Sequence, residues 1–219
     1  MPAQANVPAP AATALSDKAG RVPAYRPDLG DEQALTQMNL RLRETPPEAL
    51  PLLPTLLVSG GPRSGTTFLS QCLAHGLETA WVDHVASRFW LAPVAGLRLS
   101  RSIFGDRGRS GFRSEYGRTS DPSDVHGFHY FWIEALGLGR TVDAPPAGDD
   151  PARLFRDPEA RGVPAAPLAG HLAALQAIAG RPFVFKGYYP SYFMSWICRH
   201  VPGSIFVMIR RDPTAQARS

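Results

Sequence analysis

The chain has 219 residues and a mass of 23.7 kDa, enough for one domain and a tail. Apolar residues make up 44% and charged residues 19%, which supplies a core and rules out a wholly disordered chain. Lys plus Arg number 23 against 19 acidic residues, a net +4. That balance suits a small anionic ligand, and no nucleic-acid partner is expected from it. Only Lys18 and Lys186 are lysines, and the other 21 basic residues are arginines, an Arg-rich usage expected of a GC-rich bacterial genome. A lysine inside an apolar segment, as Lys186 is, therefore stands out. Cys72 and Cys198 are too few and too distant for a disulfide framework or a zinc pattern, and two reduced, buried thiols are expected. The uncharged stretch 49–62 is broken by Pro51 and Pro54 and is too short to span a bilayer, so no transmembrane segment is expected. The N-terminus lacks the basic n-region and apolar run of a secretory signal, so a cytoplasmic protein is expected.

Residues 1–30, rich in Ala and Pro, read as a flexible leader, and 31–219 as the folded domain. A short helix is expected over 31–43, with Leu35, Met38 and Leu42 on one face. After a proline-punctuated connector, 55–59 (TLLVS) reads as a buried strand entering a glycine turn, and 66–75 as a helix with Leu69, Cys72 and Leu73 on one side. A helix is expected over 83–91, ending before Pro93. Residues 96–124 carry six arginines among Ser and Gly and read as an irregular excursion over a site. The segment 125–138 is an aromatic helix candidate whose Phe128, Tyr130, Phe131 and Trp132 suit a core or an acceptor platform. Residues 144–164 are loose and proline-rich, and 167–179 form an amphipathic helix through Leu168, Leu172, Leu175 and Ile178. The strand 183–185 ends in Lys186, a helix follows at 192–200, and 204–209 (SIFVMI) is a strand apolar on both faces. A turn and helix begin within 210–219. Strands alternating with helices, each strand a continuous apolar run, predict an α/β fold with a central parallel sheet and helices on both faces.

The segment from Leu56 to Leu69, LLVSGGPRSGTTFL, carries the most chemistry. A strand, a Gly-rich turn and a helix in succession point backbone N–H groups into one concavity at the positive end of a helix dipole, a cradle for phosphate. Against the nucleotide-hydrolysing pattern G-x-x-x-x-G-K-[ST], Gly60, Gly65 and Thr67 fit, but the lysine slot is Thr66. That lysine reaches the β/γ-phosphates of a nucleotide, and its absence argues against γ-phosphate chemistry. The charge sits instead at Arg63, with hydroxyls at Ser64, Thr66 and Thr67.

PRSGTT after a strand resembles the 5′-phosphosulfate loop of PAPS-dependent sulfotransferases, which move a sulfuryl group from 3′-phosphoadenosine-5′-phosphosulfate (PAPS) to a hydroxyl or amine. The segment 204–219 resembles that family's 3′-phosphate anchor: Arg211-Asp212-Pro213 matches its R-[DN]-P core, and Ser219 its serine. The resemblance covers roughly 55–219, with a motif at each end and a diverged middle. It implies a P-loop-like three-layer fold in which Arg63, Ser64, Gly65, Thr66 and Thr67 hold the 5′-phosphosulfate and Arg211 with Ser219 the 3′-phosphate. Domains of that family continue past this point, so the fold is expected to be cut short at its C-terminus.

The resemblance also implies that Lys186 is catalytic, neutralising the bridging oxygen as the S–O bond breaks. In the cytosolic branch a histidine follows that lysine by two residues; here the position is Tyr188, too weak a base. Glu78, Asp83, His84, His126 and His129 are the candidates for the base, with His126 preferred for its place beside the arginine-rich excursion. His126 and His129 have no third partner for a metal, and none is expected. Arg88 suits either a contact to the cofactor or an ion pair. The expected function is sulfuryl transfer from PAPS to a carbohydrate or small-molecule acceptor. A divergent P-loop kinase and a non-catalytic nucleotide-binding fragment are the alternatives; the strands ending in Lys186 and Arg210 rather than Asp disfavour the kinase.

Overall fold

The computed structural model describes residues 29–61, 63–106, 108, 110–112, 114–115, 118–119, 121–139 and 155–217. The chain divides into two compact units, Met1–Met38 and Asn39–Ser219. In the first, residues 29–38 are described and are helical, within the helix α1 (Leu29–Leu42). The second unit runs β1 (Thr55–Gly60), α2 (Thr66–Gly76), α3 (Pro93–Phe104), β2 (Ser114–Glu115), β3 (Arg118–Thr119), α4 (His129–Ala135), α5 (Ala166–Ala179), β4 (Phe183–Lys186), α6 (Met194–His200), β5 (Ser204–Ile209) and α7 (Pro213–Ala217). Among the described residues, no helix is long and apolar enough to cross a membrane.

β1, β4 and β5 form a parallel sheet in the order β4-β1-β5. Thr55 stands opposite Phe183 on one side and Ser204 on the other, so the three strands start level and exit at the same edge. The chain places β4 and then β5 on opposite sides of β1, which makes the exit of β1 a topological switch point, the usual ligand site of open α/β sheets. At β1 and β4 the sheet is covered on both faces. On one, Val58 and Val184 pack with Ala74, Trp81 and Val125, flanked by Leu69 and Leu73 of α2. On the other, Trp132 of α4 meets Phe185 edge-on at 5.4 Å.

Gln176 of α5 ties that helix to the start of β1. Its amide donates to the Leu53 carbonyl (2.7 Å) and to Thr55 Oγ1 (3.1 Å) and accepts from the Leu53 N–H (3.0 Å). A buried amide satisfied on both ends fixes one geometry. Pro167 opens α5, and Gly180 closes it at φ 64.

Several expectations are corrected. Residues 83–91 are not an α-helix but a short 3-10 turn, Ala86–Arg88, and the helix begins at Pro93. Proline at the first helical turn lacks only an N–H that has no intrahelical partner there. Both oxygens of Glu44 accept the next two amides, Val94 N–H (3.0 Å) and Ala95 N–H (2.8 Å), an anionic cap on the helix start. The arginine-rich excursion therefore begins as α3. The aromatic helix is shorter than 125–138: Phe128 adopts φ 48, and α4 starts only at His129. In α2 the buried stripe is Thr67, Ser70, Gln71 and Ala74, with Cys72 half-buried. Gln71 turns inward because its amide donates to the buried Asp124 carboxylate at 2.7 Å. Cys198 is exposed, and β5, an edge strand, leaves Ile205 48% and Met208 53% exposed.

Candidate functional site

β1 exits through Ser59 and Gly60 into the turn that opens α2. Arg63 has φ 64 and Gly65 φ 98, both left-handed, while the Ser64 N–H donates to the Gly61 carbonyl at 3.2 Å. The first helical bond runs from the Leu69 N–H to the Gly65 carbonyl (3.0 Å). The amides before it lie at the positive end of the helix, and left-handed residues in the turn fold neighbouring N–H groups toward one side, as an anion nest requires. The glycines answer to close approach as well as to φ. A Cβ on Gly60 would lie 2.6 Å from Ser64 Oγ and 2.9 Å from the Ile209 carbonyl oxygen, and one on Gly61 would lie 2.6 Å from Gln216 Nε2.

A cavity of about 460 Å³ opens over this turn. The turn supplies Gly60, Gly61, Arg63, Gly65, Thr66, Thr67 and Phe68; Lys186, Tyr188 and Tyr189 come from the exit of β4, and Arg211 from the exit of β5. His129 of α4, Ser114 of β2, and Val58 and Ser59 of β1 complete the described wall. Three cations from three strand ends thus face one space, and no carboxylate is among the described residues that line it.

Lys186 is held by strand geometry. Ser59 Oγ donates to the Gly187 carbonyl at 2.7 Å, and the Gly187 N–H donates to the Val58 carbonyl at 2.7 Å, so the backbone beyond Lys186 is clamped to β1. Burial pulls its ammonium down from 10.5 to about 8. Arg211 does something the sequence did not disclose: Nη1 donates to the Arg63 carbonyl oxygen at 2.8 Å, tying the end of β5 to the turn after β1.

Of the residues expected to bind phosphate, Arg63, Gly65, Thr66, Thr67 and Arg211 come together at the cavity. Ser64 does not line it; its Oγ is buried beneath the turn against Gly60, with no hydrogen-bond partner among the described residues. Ser219 lies outside the described residues, as do Arg107, Arg109 and Arg113 of the excursion. Arg88 is exposed and does not line the cavity; its carbonyl accepts from Asn39 Nδ2 at 2.7 Å.

The candidate bases separate clearly. Glu78 is exposed and away from the cavity. Asp83 is buried, and burial raises its carboxyl pKa although Ser100 Oγ and the Ala86 N–H both donate to it. His84 meets Thr119 Oγ1 at 2.6 Å, and burial lowers its pKa. His126 packs against His84, ring centroids 4.9 Å apart, and its Nδ1 accepts the Phe128 N–H at 3.0 Å. That bond requires the proton of the neutral ring on Nε2. Burial, reinforced by the charges of His84, His129, Arg88 and Lys186, holds its pKa well below the usual histidine range. His126 does not line the cavity, whereas His129 does.

The signal that separates the two histidines is local. Gly127 leaves room for the His129 ring, onto which a Cβ there would fall, and Phe128 turns the chain at φ 48. The aromatic residues considered as a platform divide as well: Phe128, Phe131 and Trp132 are core at 1%, 2% and 0% exposed, while Tyr130 is exposed. Among the described residues, Phe68, Tyr188 and Tyr189 reach the cavity, with the His129 ring beside them. No protein-family model, curated protein or solved structure matches the chain.

Proposed function

We propose that the chain is a PAPS-dependent sulfotransferase domain with a P-loop-like sheet, moving a sulfuryl group to a hydroxyl or amine of an acceptor. The observation that carries this reading is the convergence of Arg63, Lys186 and Arg211, one from each strand exit, on one cavity without a carboxylate in its described wall. PAPS supplies the sulfuryl group and leaves as adenosine 3′,5′-bisphosphate. The turn amides, Arg63 and the hydroxyls of Thr66 and Thr67 bind the 5′-phosphosulfate, and Arg211 the second phosphate. Lys186 opposes the negative charge that grows on the departing oxygen, where a desolvated ammonium acts most strongly. His129 takes the proton of the acceptor hydroxyl, since it faces the cavity while the Nδ1 of His126 is engaged by backbone.

ATP-dependent phosphoryl transfer fits less well. Thr66 stands where that chemistry places its lysine, and an acid to hold Mg²⁺ is missing from the described cavity wall. Calorimetry decides between them. Binding of adenosine 3′,5′-bisphosphate without Mg²⁺, and not of ATP·Mg²⁺, is the expected result; the opposite preference overturns the reading.

A further inference from the structure

Beyond the cavity the aromatic residues continue as a row. His129 and Tyr189 meet at 5.9 Å, Tyr189 and Tyr188 at 5.2 Å, Tyr188 and Tyr192 at 5.5 Å, and Tyr192 and Phe155 at 4.9 Å. The inner rings line the cavity beside Lys186, and the outer ones lie on the surface: Tyr188 is 42% exposed, Tyr192 46% and Phe155 56%. Large aromatic rings left half in water in a continuous line call for a ligand.

We propose that this row is the path of an oligosaccharide acceptor, entering over Phe155 and Tyr192 and presenting a hydroxyl at Lys186. The inference rests on the transfer reading above for its chemistry, though not for the binding itself. Three features favour a glycan over a flat aromatic acceptor. Successive rings are inclined by 83°, 78°, 88° and 54°, so no two neighbouring rings in the row form a parallel-walled slot for a planar molecule. The row extends past the cavity, which suits a chain of several units rather than one small ring. Each tyrosine pairs an apolar face with a hydroxyl at its edge, matching the C–H faces and hydroxyls of a sugar ring.

The row is also preorganised, which limits the ordering cost of binding. Ser191 Oγ donates to the Tyr188 carbonyl at 2.6 Å, and the Ser191 N–H to the Gly187 carbonyl at 3.2 Å, within the 3-10 turn Pro190–Phe193. Tyr192 OH donates to Tyr188 OH at 3.1 Å, and this bond, with burial, pushes the Tyr192 phenol up to about 12. Tyr192 therefore remains a donor throughout the physiological range.

The test is calorimetry of the full chain with cellohexaose, chitohexaose and a hyaluronan hexasaccharide, with 4-nitrophenol as the planar competitor. At least one hexasaccharide should bind. Tyr192→Ala and Phe155→Ala should each weaken it by roughly tenfold, while Tyr192→Phe, which keeps the ring, should cost only about two- to threefold. Adenosine 3′,5′-bisphosphate affinity should be unchanged in all three, which also shows that the variants fold. Binding of 4-nitrophenol alone, binding of no hexasaccharide, or a glycan affinity indifferent to both alanine variants overturns the proposal. Glycan binding that follows the row, with no bisphosphate binding in the parent chain, would keep this inference and refute the sulfuryl-transfer reading.

Discussion

Replacing Lys186 by Met asks what the charge at the end of β4 costs the fold. Burial takes the ammonium from 10.5 to about 8, which corresponds to roughly 3 kcal/mol of opposition to folding while the group is charged. The side chain is half-buried and its head meets the cavity, so solvent reduces that figure and it is a ceiling. Methionine keeps a flexible, unbranched stem without the charge. Lys186→Met should therefore gain up to about 3 kcal/mol in urea unfolding at pH 7 while losing all transfer activity. The pH dependence has a definite sign. Between about 8 and 10.5 the unfolded chain holds a proton on this lysine that the folded chain has released, so folding of the parent becomes more favourable as pH rises through that window. The gap between variant and parent should be constant below pH 8 and close as pH approaches 10.5. A variant less stable than the parent at pH 7, or a gap indifferent to pH, would refute the reasoning.

Three further outcomes are expected. Gly65→Ala introduces a Cβ with nothing within 4 Å, so its cost is purely the left-handed backbone at φ 98, about 1–2 kcal/mol, read as a lower Tm together with weaker bisphosphate binding; an unchanged Tm contradicts it. Gly170→Ala should destabilise by about 1–3 kcal/mol in urea despite a helix-propensity gain of about 1 kcal/mol, because the new Cβ runs into the Pro47 carbonyl oxygen, and backbone yields less readily than a side chain. His129→Ala should lower transfer by roughly 10²–10⁴-fold at unchanged bisphosphate affinity, while His126→Asn, whose amide oxygen can accept the Phe128 N–H, leaves it nearly intact; the reverse ranking makes His126 the base.

What could be read from the sequence is what short-range constraints dictate. β1, the glycine turn and the start of α2 follow from an apolar run, two adjacent glycines and the following hydroxyls. Lys186 at the end of β4 could be placed because a charge after three buried apolar residues can sit only at a strand exit. What escaped depends on distant partners. Pro93 reads equally as a stop or a start, and only Glu44 on its amides decides. That Leu69 and Leu73 face the sheet core could be read from their spacing, but not that Gln71, held by Asp124, is buried more deeply beside them. The apolar run of β5 cannot say that it lies at an edge with Ile205 and Met208 exposed. Tyr189 reaches the cavity through a crossover, whereas His129 does so through the local reversal at Phe128, which the residue type does not announce.

The hydrogen bond from Arg211 to the Arg63 carbonyl has a consequence in time as well as in space. It joins residues 148 positions apart, across a central strand whose two neighbours are both made more than a hundred residues later. Such non-local closure is slow compared with local helix formation. During synthesis β1 therefore has no strand partner until β4 and β5 have emerged. The turn after β1 is then tied down in the same event that brings β5 beside it. A chain caught before that event lacks the tie from Arg211 across the turn, and β1 lacks its strand partners.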